Sequence, residues 1–443
     1  MRIPLCFTLL FVSFCSFAQE VIEFEEKKES KVQPYRSYML PASSAHEAQR
    51  VGQEAMRYAI PVEGWSQHNA PGQATFSSSF AAPFSWIGRE AIISIESAST
   101  PYTVKVDGHQ VGTNLNAALP AQFNITDFLD NQTEASITVT MFRDSASSQL
   151  EGWGSDKSFV LGPVVMLSQP TMFIRDVEVQ TSRLSGVLNA TIAVIVKSEA
   201  LNPRSSRINY ELLTPEGEYV TRGGVDVSLS MRQEDTIRIS AAVPDQKAWS
   251  AENPNLYTLN LSTQYRGRTQ EYFSFGMGLR SIDMGENGEL SINGAVQTLK
   301  AMEVKSSIEL DDLSEIKAKG YNTIKVAAGE HNREIYSYAD SIGLYVIATA
   351  PINSSKSGED IKRGGNPSND PARLSEYIAR VDAIYNLVKI HPSVIAFSLA
   401  DNSLNGFNLY ESYLYLKGRE GQRPIIYLNG GGEWNNDQLK VEF

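Results

Sequence analysis

Two hydrophobic periods divide the chain. Short runs alternating between apolar and polar residues fill its first half, and unbroken apolar runs separated by helical stripes fill the part beyond about residue 279. In the first half AIISIES (91–97), YTVKVDG (102–108) and SITVTMF (136–142) read as half-buried strands bounded by turn residues. Asp107-Gly108 marks a hairpin, because glycine accepts the positive φ of a type I′ turn. This β block extends to about residue 170, after a helical-looking stretch at 43–59. A second block opens at FIRDVEVQT (173–181) and continues through ATIAVIVKS, RINYELL and LYTLNLSTQY. Its spacing suits a small sandwich of about 100 residues.

Beyond residue 279 five strand-length apolar runs appear: LKAMEV, NTIKVAA, GLYVIATA, SVIAFSLA and PIIYLNG. Helical patterns separate them, and such alternation predicts a parallel sheet with right-handed crossovers. The longest helix carries Leu374, Ile378, Val381, Tyr385 and Val388 on one stripe, with Asp370 as cap and Pro371 in its first turn. In the first, Asp311 and Asp312 precede Lys317 and Lys319, matching the helix dipole. LKVEF (439–443) is a candidate sixth strand.

Composition adds the setting. Arg2, the apolar run from Ile3 to Phe14 and the small-residue close at Ser16-Phe17-Ala18 have the grammar of a secretory signal ending at residue 18. The run is too short for a bilayer span, which needs about 20 apolar residues. Both cysteines, Cys6 and Cys15, fall inside the signal, so the exported chain is expected to rely on core burial rather than disulfides. Its net charge of −12 becomes −13 when Arg2 is lost, which argues against nucleic acid as a partner. Residues 19–42, with the charged EFEEKKESK at 23–31, read as a linker. The five histidines are scattered without metal-helix spacing, and no nucleotide motif is present, so no cofactor or metal is expected. Gly430-Gly431-Gly432 follows a strand without a GxGxxG frame and reads as a loop.

Several words then carry a resemblance. VKVDGHQVG and FNITDFL, the segment 150–179, AWSAENPNLYTL (248–259), FGMGLRSIDM (275–284), LSINGAVQTLKA (290–301), DSIGLYVI (340–347) and HPSVIAFSL (391–399) resemble glycoside hydrolase family 2, the β-galactosidase and β-glucuronidase group. The resemblance implies a jelly-roll β-sandwich at 43–170, an immunoglobulin-like β-sandwich at 171–278, and an incomplete (β/α) TIM-type barrel of about five strands at 279–443. It also implies hydrolysis of O-glycosyl bonds by two glutamates, an acid/base after strand 4 and a nucleophile after strand 7. Such carboxyls stand roughly 5 Å apart, because one protonates the leaving oxygen while the other attacks the anomeric carbon.

The chain departs from the family where that chemistry belongs. The family's "SLGNES" is matched by Ser398-Leu399-Ala400-Asp401-Asn402-Ser403, so Asn402 holds the acid/base position. An amide has no transferable proton near neutral pH. Asp401 is one residue early, and adjacent strand residues point to opposite faces. "GVNRHE" is replaced by Ala301 to Lys305, "RTSHYP" by Lys325 to Glu330, and "DEAN" by Ala348 to Pro351. No counterpart of strand 7 occurs up to residue 443. The losses cluster at the C-terminal strand ends, where barrels keep their active sites.

No catalytic residue is therefore assigned. Glu303, Glu330, His331, Asp401 and Asn402 at the mouth, with Trp153 on a loop reaching toward it, are the candidates for binding a glycan. Solvated loop-end charge and ordinary packing are the plainer reading of the same residues. Five or six strands cannot close an eight-stranded barrel, which leaves unpaired edges and an apolar interior to be covered by a protein partner or a second copy. The expected function is a non-catalytic scaffold or interaction subunit of a cell-envelope complex, periplasmic or outside the cell. The alternatives are a glycan-binding module and a glycosidase with a replaced acid.

Overall fold

A computed structural model describes residues 32–50, 56–129, 134–143, 149–152, 158–355, 366–428 and 436–443. The segment read as a signal, the charged run at 23–31, Trp153 and the triple glycine lie outside the described residues. The first block is a two-sheet sandwich. One sheet is ordered Ala59–Pro61, Val164–Gln169, Glu90–Ile95, Ala121–Asn124; the other Ser66–Ala70, Gln73–Ala81, Glu134–Phe142, Tyr102–Val106, His109–Asn114. Alternation does the sorting: Ala135, Ile137, Val139 and Met141 enter the core while Glu134 and Ser136 face out. Asp107 and Gly108 both take positive φ in the predicted hairpin.

The second sandwich packs Met172–Leu184, Val187–Ser198 and Glu234–Pro244 against a sheet ordered Tyr219–Leu229, Arg204–Leu213, Tyr257–Tyr265, Arg268–Met277. Beyond it lies the parallel sheet. Its strands are β1 (Leu299–Val304), β2 (Thr323–Val326), β3 (Tyr345–Thr349), β4 (Val394–Ser398), β5 (Ile425–Ile426) and β6 (Val441–Glu442). Helices α1 (Leu310–Ala318), α2 (Arg333–Ile342), α3 (Leu374–Val388) and α4 (Phe407–Lys417) join the first five, and the spatial order is β5-β4-β3-β2-β1-β6. It is a half-barrel.

Four expectations need correction. Among the described residues of the stretch 43–59 there is one helical turn, Ala45–Ala48. The Glu47 carboxylate explains the stop, since it accepts from the backbone N–H groups of Ser43 and Arg57 and draws the chain back on itself. Residues 32–42, assigned to a linker, pack in the seam between domains. Gln33 N–H donates to Gln122 O at 2.8 Å, Ser37 N–H to Asp176 Oδ1 at 3.1 Å, and Ala42 exchanges two backbone bonds with Tyr272. The buried face of α3 runs through Tyr377, Val381, Ile384 and Val388, because its C-terminal half is enclosed on all sides. Leu374 and Ile378 sit at its margin.

The fourth correction concerns the sheet edges. β1 is not left open: β6 pairs in parallel along it, Leu299 opposite Val441 and Lys300 opposite Glu442. At the other edge Asp437 N–H donates to Ile425 O at 2.7 Å and Asp437 Oδ2 accepts from Ile425 N–H at 2.8 Å. The segment 436–443 thus straps across the half-barrel. Leu439 and Val441 turn inward against Ile347, Ala396 and Ile426, so its own alternation covers the apolar face expected to meet water.

The surviving family words meet at the opposite end of β4 from the mouth. Arg280 donates from Nε to Pro392 O at 2.5 Å and from an η nitrogen to Val394 O at 2.6 Å. Burial, with Arg423 nearby, holds its guanidinium down to about 9. Asp340 accepts from Ser393 N–H at 2.9 Å and meets His391 Nδ1 at 2.6 Å. Trp249 donates to Asp340 O and stands edge-on to Tyr345, and a side chain on Gly278 would collide with Pro392 and Trp249. These residues lock the sandwich to the half-barrel, which gives the shared words a structural reason.

Candidate functional site at the strand ends

The mouth is built from the C-terminal ends of β1, β2 and β4. β2 is buried at all four positions, yet one is Lys325. A buried ammonium requires a counter-charge. Lys325 finds two, Glu303 Oε2 on β1 at 3.0 Å and Asp401 Oδ1 just past β4. The remaining Asp401 oxygen accepts from Ala328 N–H at 2.6 Å. Both oxygens of Asp401 are therefore held, and its backbone is tied in turn: its N–H donates to Ile352 O at 2.8 Å, and Ser403 Oγ donates to its carbonyl. Lys325 is 3% exposed and the Asp401 side chain 9%, whereas Glu303 is 56% exposed and forms the wet end of the triad.

Asn402 lies on the other side of the chain. It is exposed with φ 36°, a left-handed conformation that asparagine tolerates better than most side chains. Asp401 and Asn402 thus face apart, one into the half-barrel and the other to solvent.

A second strand-end feature comes from the jelly roll. Gly152 N–H donates to Asn353 O and Asn353 N–H to Leu150 O, extending the mouth by one parallel bridge on each side of Asn353, to Glu151 and to Asp401. A Cβ at Gly152 would stand 2.5 Å from Asn353 Oδ1, so any other residue there would displace that side chain. The buried Glu151 carboxylate, pushed up by burial, pairs with buried Arg380 at 3.1 Å.

Beside this lies a cleft of about 640 Å³. Glu303, Lys305, Glu330, His331 and Arg333 line it, with Glu96 from the jelly roll. Arg333 bonds Glu96 at 2.8 Å and rests on the Tyr38 ring. His331 stacks on Tyr336 at 5.6 Å, and its enclosed Nδ1 has no hydrogen-bond partner among the described residues. Burial pushes its imidazole down to about 3, which keeps it neutral. The structure thus brings Glu303, Glu330 and His331 to one cleft and places Asp401 behind Lys325, outside the lining. Sequence reasoning passed over Lys325, Glu151 and Arg380. A lysine inside the apolar run NTIKVAA was the available sign for the first.

Comparison with known proteins accords with this architecture. Family models match in chain order: the sugar binding domain of glycosyl hydrolases family 2 at 13–179, the family 2 domain at 172–280, and the family 2 TIM barrel domain at 297–442. The chain is 26% identical over 384 residues to a β-galactosidase of Psychromonas ingrahamii, covering 80% of itself and 35% of that protein. Against a β-galactosidase of Priestia megaterium it is 24% identical over 388 residues, covering 82% of itself and 37% of that relative. It therefore spans little more than a third of the length of these relatives. Among solved structures, an FMN-binding β-glucuronidase from Facaelibacterium prausnitzii superposes with a TM-score of 0.68 at 21% identity, covering 84% of this chain and 64% of that one. A putative β-galactosidase from Bacteroides fragilis gives 0.68 at 14%, covering 93% and 65%. With sandwich, sandwich and barrel matched in order by sequence and by shape, the chain belongs to glycosyl hydrolase family 2.

Proposed function

We propose that this chain is a non-catalytic member of the family, exported to the cell envelope, that serves as a scaffold or interaction subunit of a protein complex. The observation that carries the reading is the state of the acid/base position. Asn402 cannot donate a proton, and the neighbouring Asp401 has both oxygens committed to Lys325 and Ala328. A general acid must reach the glycosidic oxygen, and Asp401 points the other way, into a buried ion pair. The partner surface in this reading is the side of the half-barrel between β5 and β6, across which residues 436–443 lie. Among the described residues no helix is long and apolar enough to cross a membrane.

The test uses a panel of aryl glycosides with good leaving groups, including galactosides and glucuronides, for which protonation by the enzyme is dispensable. The full chain is expected to release no aryl alcohol above the protein-free rate. Turnover that depends on protein concentration would instead establish a glycosidase with a replaced acid.

A second reading, glycan binding without hydrolysis, is favoured by the cleft that joins Glu303, Glu330 and His331 to the jelly-roll Glu96. It predicts retardation of the chain in polysaccharide-containing native gels, weakened by Glu330→Gln. Unchanged mobility across the panel would remove it.

A further inference from the structure

At the opposite end of β4 from the mouth, the second sandwich meets the half-barrel across a cleft of about 360 Å³. Its sandwich wall is polar by alternation. Gln180 lies opposite Thr191 and Ser182 opposite Asn189, so these four share the outer face of their sheet. Leu188, Ala190 and Ile192 turn the other way, into the core. Four cations, Arg280, Lys389, Arg419 and Arg423, complete the lining.

Three of the four are matched by carboxylates. Lys389 pairs with Asp176 at 2.6 Å and Glu178 at 3.0 Å, Arg423 with Glu420 at 2.5 Å, and Arg419 with Asp382. Arg280 is the exception. It is 9% exposed, and its Nε and one η nitrogen donate to the carbonyls of Pro392 and Val394. The other η nitrogen bonds to none of the described residues, and none of their carboxylates forms an ion pair with it.

The two acids whose fields reach Arg280 are committed elsewhere. Glu420 accepts from Arg423 Nε and from the backbone N–H groups of Gln422 and Arg423. Asp340 accepts from Ser393 N–H and meets His391. Buried charges are normally paired. Here burial and the neighbouring Arg423 depress the guanidinium, so the protein's own acids leave its charge under-compensated.

We propose that this cleft is a binding site for a small oxyanion of the phosphate or sulfate type, with the free η nitrogen of Arg280 as its principal donor. Guanidinium hydrogen bonds to such oxyanions are charge-assisted and among the strong ones. The ligand supplies the missing counter-charge at the point where Arg280 joins sandwich to half-barrel. The site is remote from the mouth and does not depend on the scaffold reading.

Calorimetric titration of the full chain with inorganic phosphate, at constant ionic strength, tests this. The natural chain is expected to bind one phosphate with half-saturation below about 1 mM. Asn189→Asp puts a carboxylate at an exposed lining position and should weaken binding about tenfold or more. Arg280→Lys keeps the charge but loses the fork, and should weaken it similarly. If that variant does not fold, Asn189→Asp decides alone. Ser79→Asp, exposed on the first sandwich, changes net charge equally and should bind as the natural chain does. Glucose 6-phosphate competing more tightly than phosphate assigns the site to an ester, and more weakly to the free ion. No saturable heat with phosphate, an unaltered Asn189→Asp, or an equal loss in Ser79→Asp would overturn the proposal. None of these results bears on aryl glycoside turnover, so the anion site and the non-catalytic reading fail separately.

Discussion

Lys325→Met is expected to destabilise the half-barrel by about 3–5 kcal/mol, the usual cost of breaking a buried ion pair from one side. The methionine fills the space of the lysine stem, so packing is largely conserved and the loss is electrostatic. It leaves the Asp401 carboxylate, 7% exposed as a residue, with Ala328 N–H as the remaining one of its two direct partners. Glu303 is less affected because water reaches it. Adding Asp401→Asn should recover much of the loss, since replacing both members of a buried pair is often nearly neutral. A multidomain chain does not unfold in two states. The measurement is therefore native-state exchange of the Ile324 and Ile347 amides in graded denaturant. A change below about 0.5 kcal/mol for Lys325→Met, the scale of ordinary surface substitutions, would show that the triad does not hold the mouth together.

The second large effect lies where the two sandwiches meet. Glu271 is 1% exposed on the strand Arg268–Met277 and accepts from Ile174 N–H at 2.7 Å. Burial pushes its carboxyl up to about 7, against the pull of that hydrogen bond and of Arg89 and Arg36. The folded state therefore holds this proton more tightly than the unfolded chain does. The resulting stability is fully present below the unfolded value of 4.5 and is lost as pH rises to about 7. The span corresponds to about 3 kcal/mol. Glu271→Gln keeps an acceptor for Ile174 and removes the titration, so the natural chain should lose about that much relative to the variant across the interval. Taking the difference also cancels His331, whose depressed value acts in the opposite sense, its stability falling as pH drops below the ordinary imidazole range. A natural chain that gains on the variant with rising pH would mean that Arg89 and Arg36 outweigh burial.

Both effects show where the amino-acid sequence was legible. The strands appeared because their periods are local: alternation in the sandwiches, unbroken apolar runs where helices cover one face of a sheet and a neighbouring layer the other. HPSVIAFSL was readable as a buried strand, and His391, Ser393 and Val394 prove to be held by Asp340 and Arg280. The non-catalytic reading of the Asp401-Asn402 pair came from the resemblance, which sets Asn402 at the family's acid/base position, together with the chemistry of an amide. Less accessible were interactions between residues far apart in sequence. Lys325 and Asp401 are separated by 76 positions, Glu151 and Arg380 by 229, and no local period records such pairs.

The same division applies to the chain ends. Residues 32–42 have no helical or strand period, and their backbone groups find partners only on the two sandwiches, at Gln122, Asp176 and Tyr272. LKVEF does have a period, which marked it as a strand, but the period does not say which edge it joins. Its hydrophobic pattern fixed which side chains face inward, because that depends on successive residues alone. Its place beside β1, with Asp437 on β5, was decided by the tertiary structure, because the edges it satisfies exist only once the half-barrel has assembled.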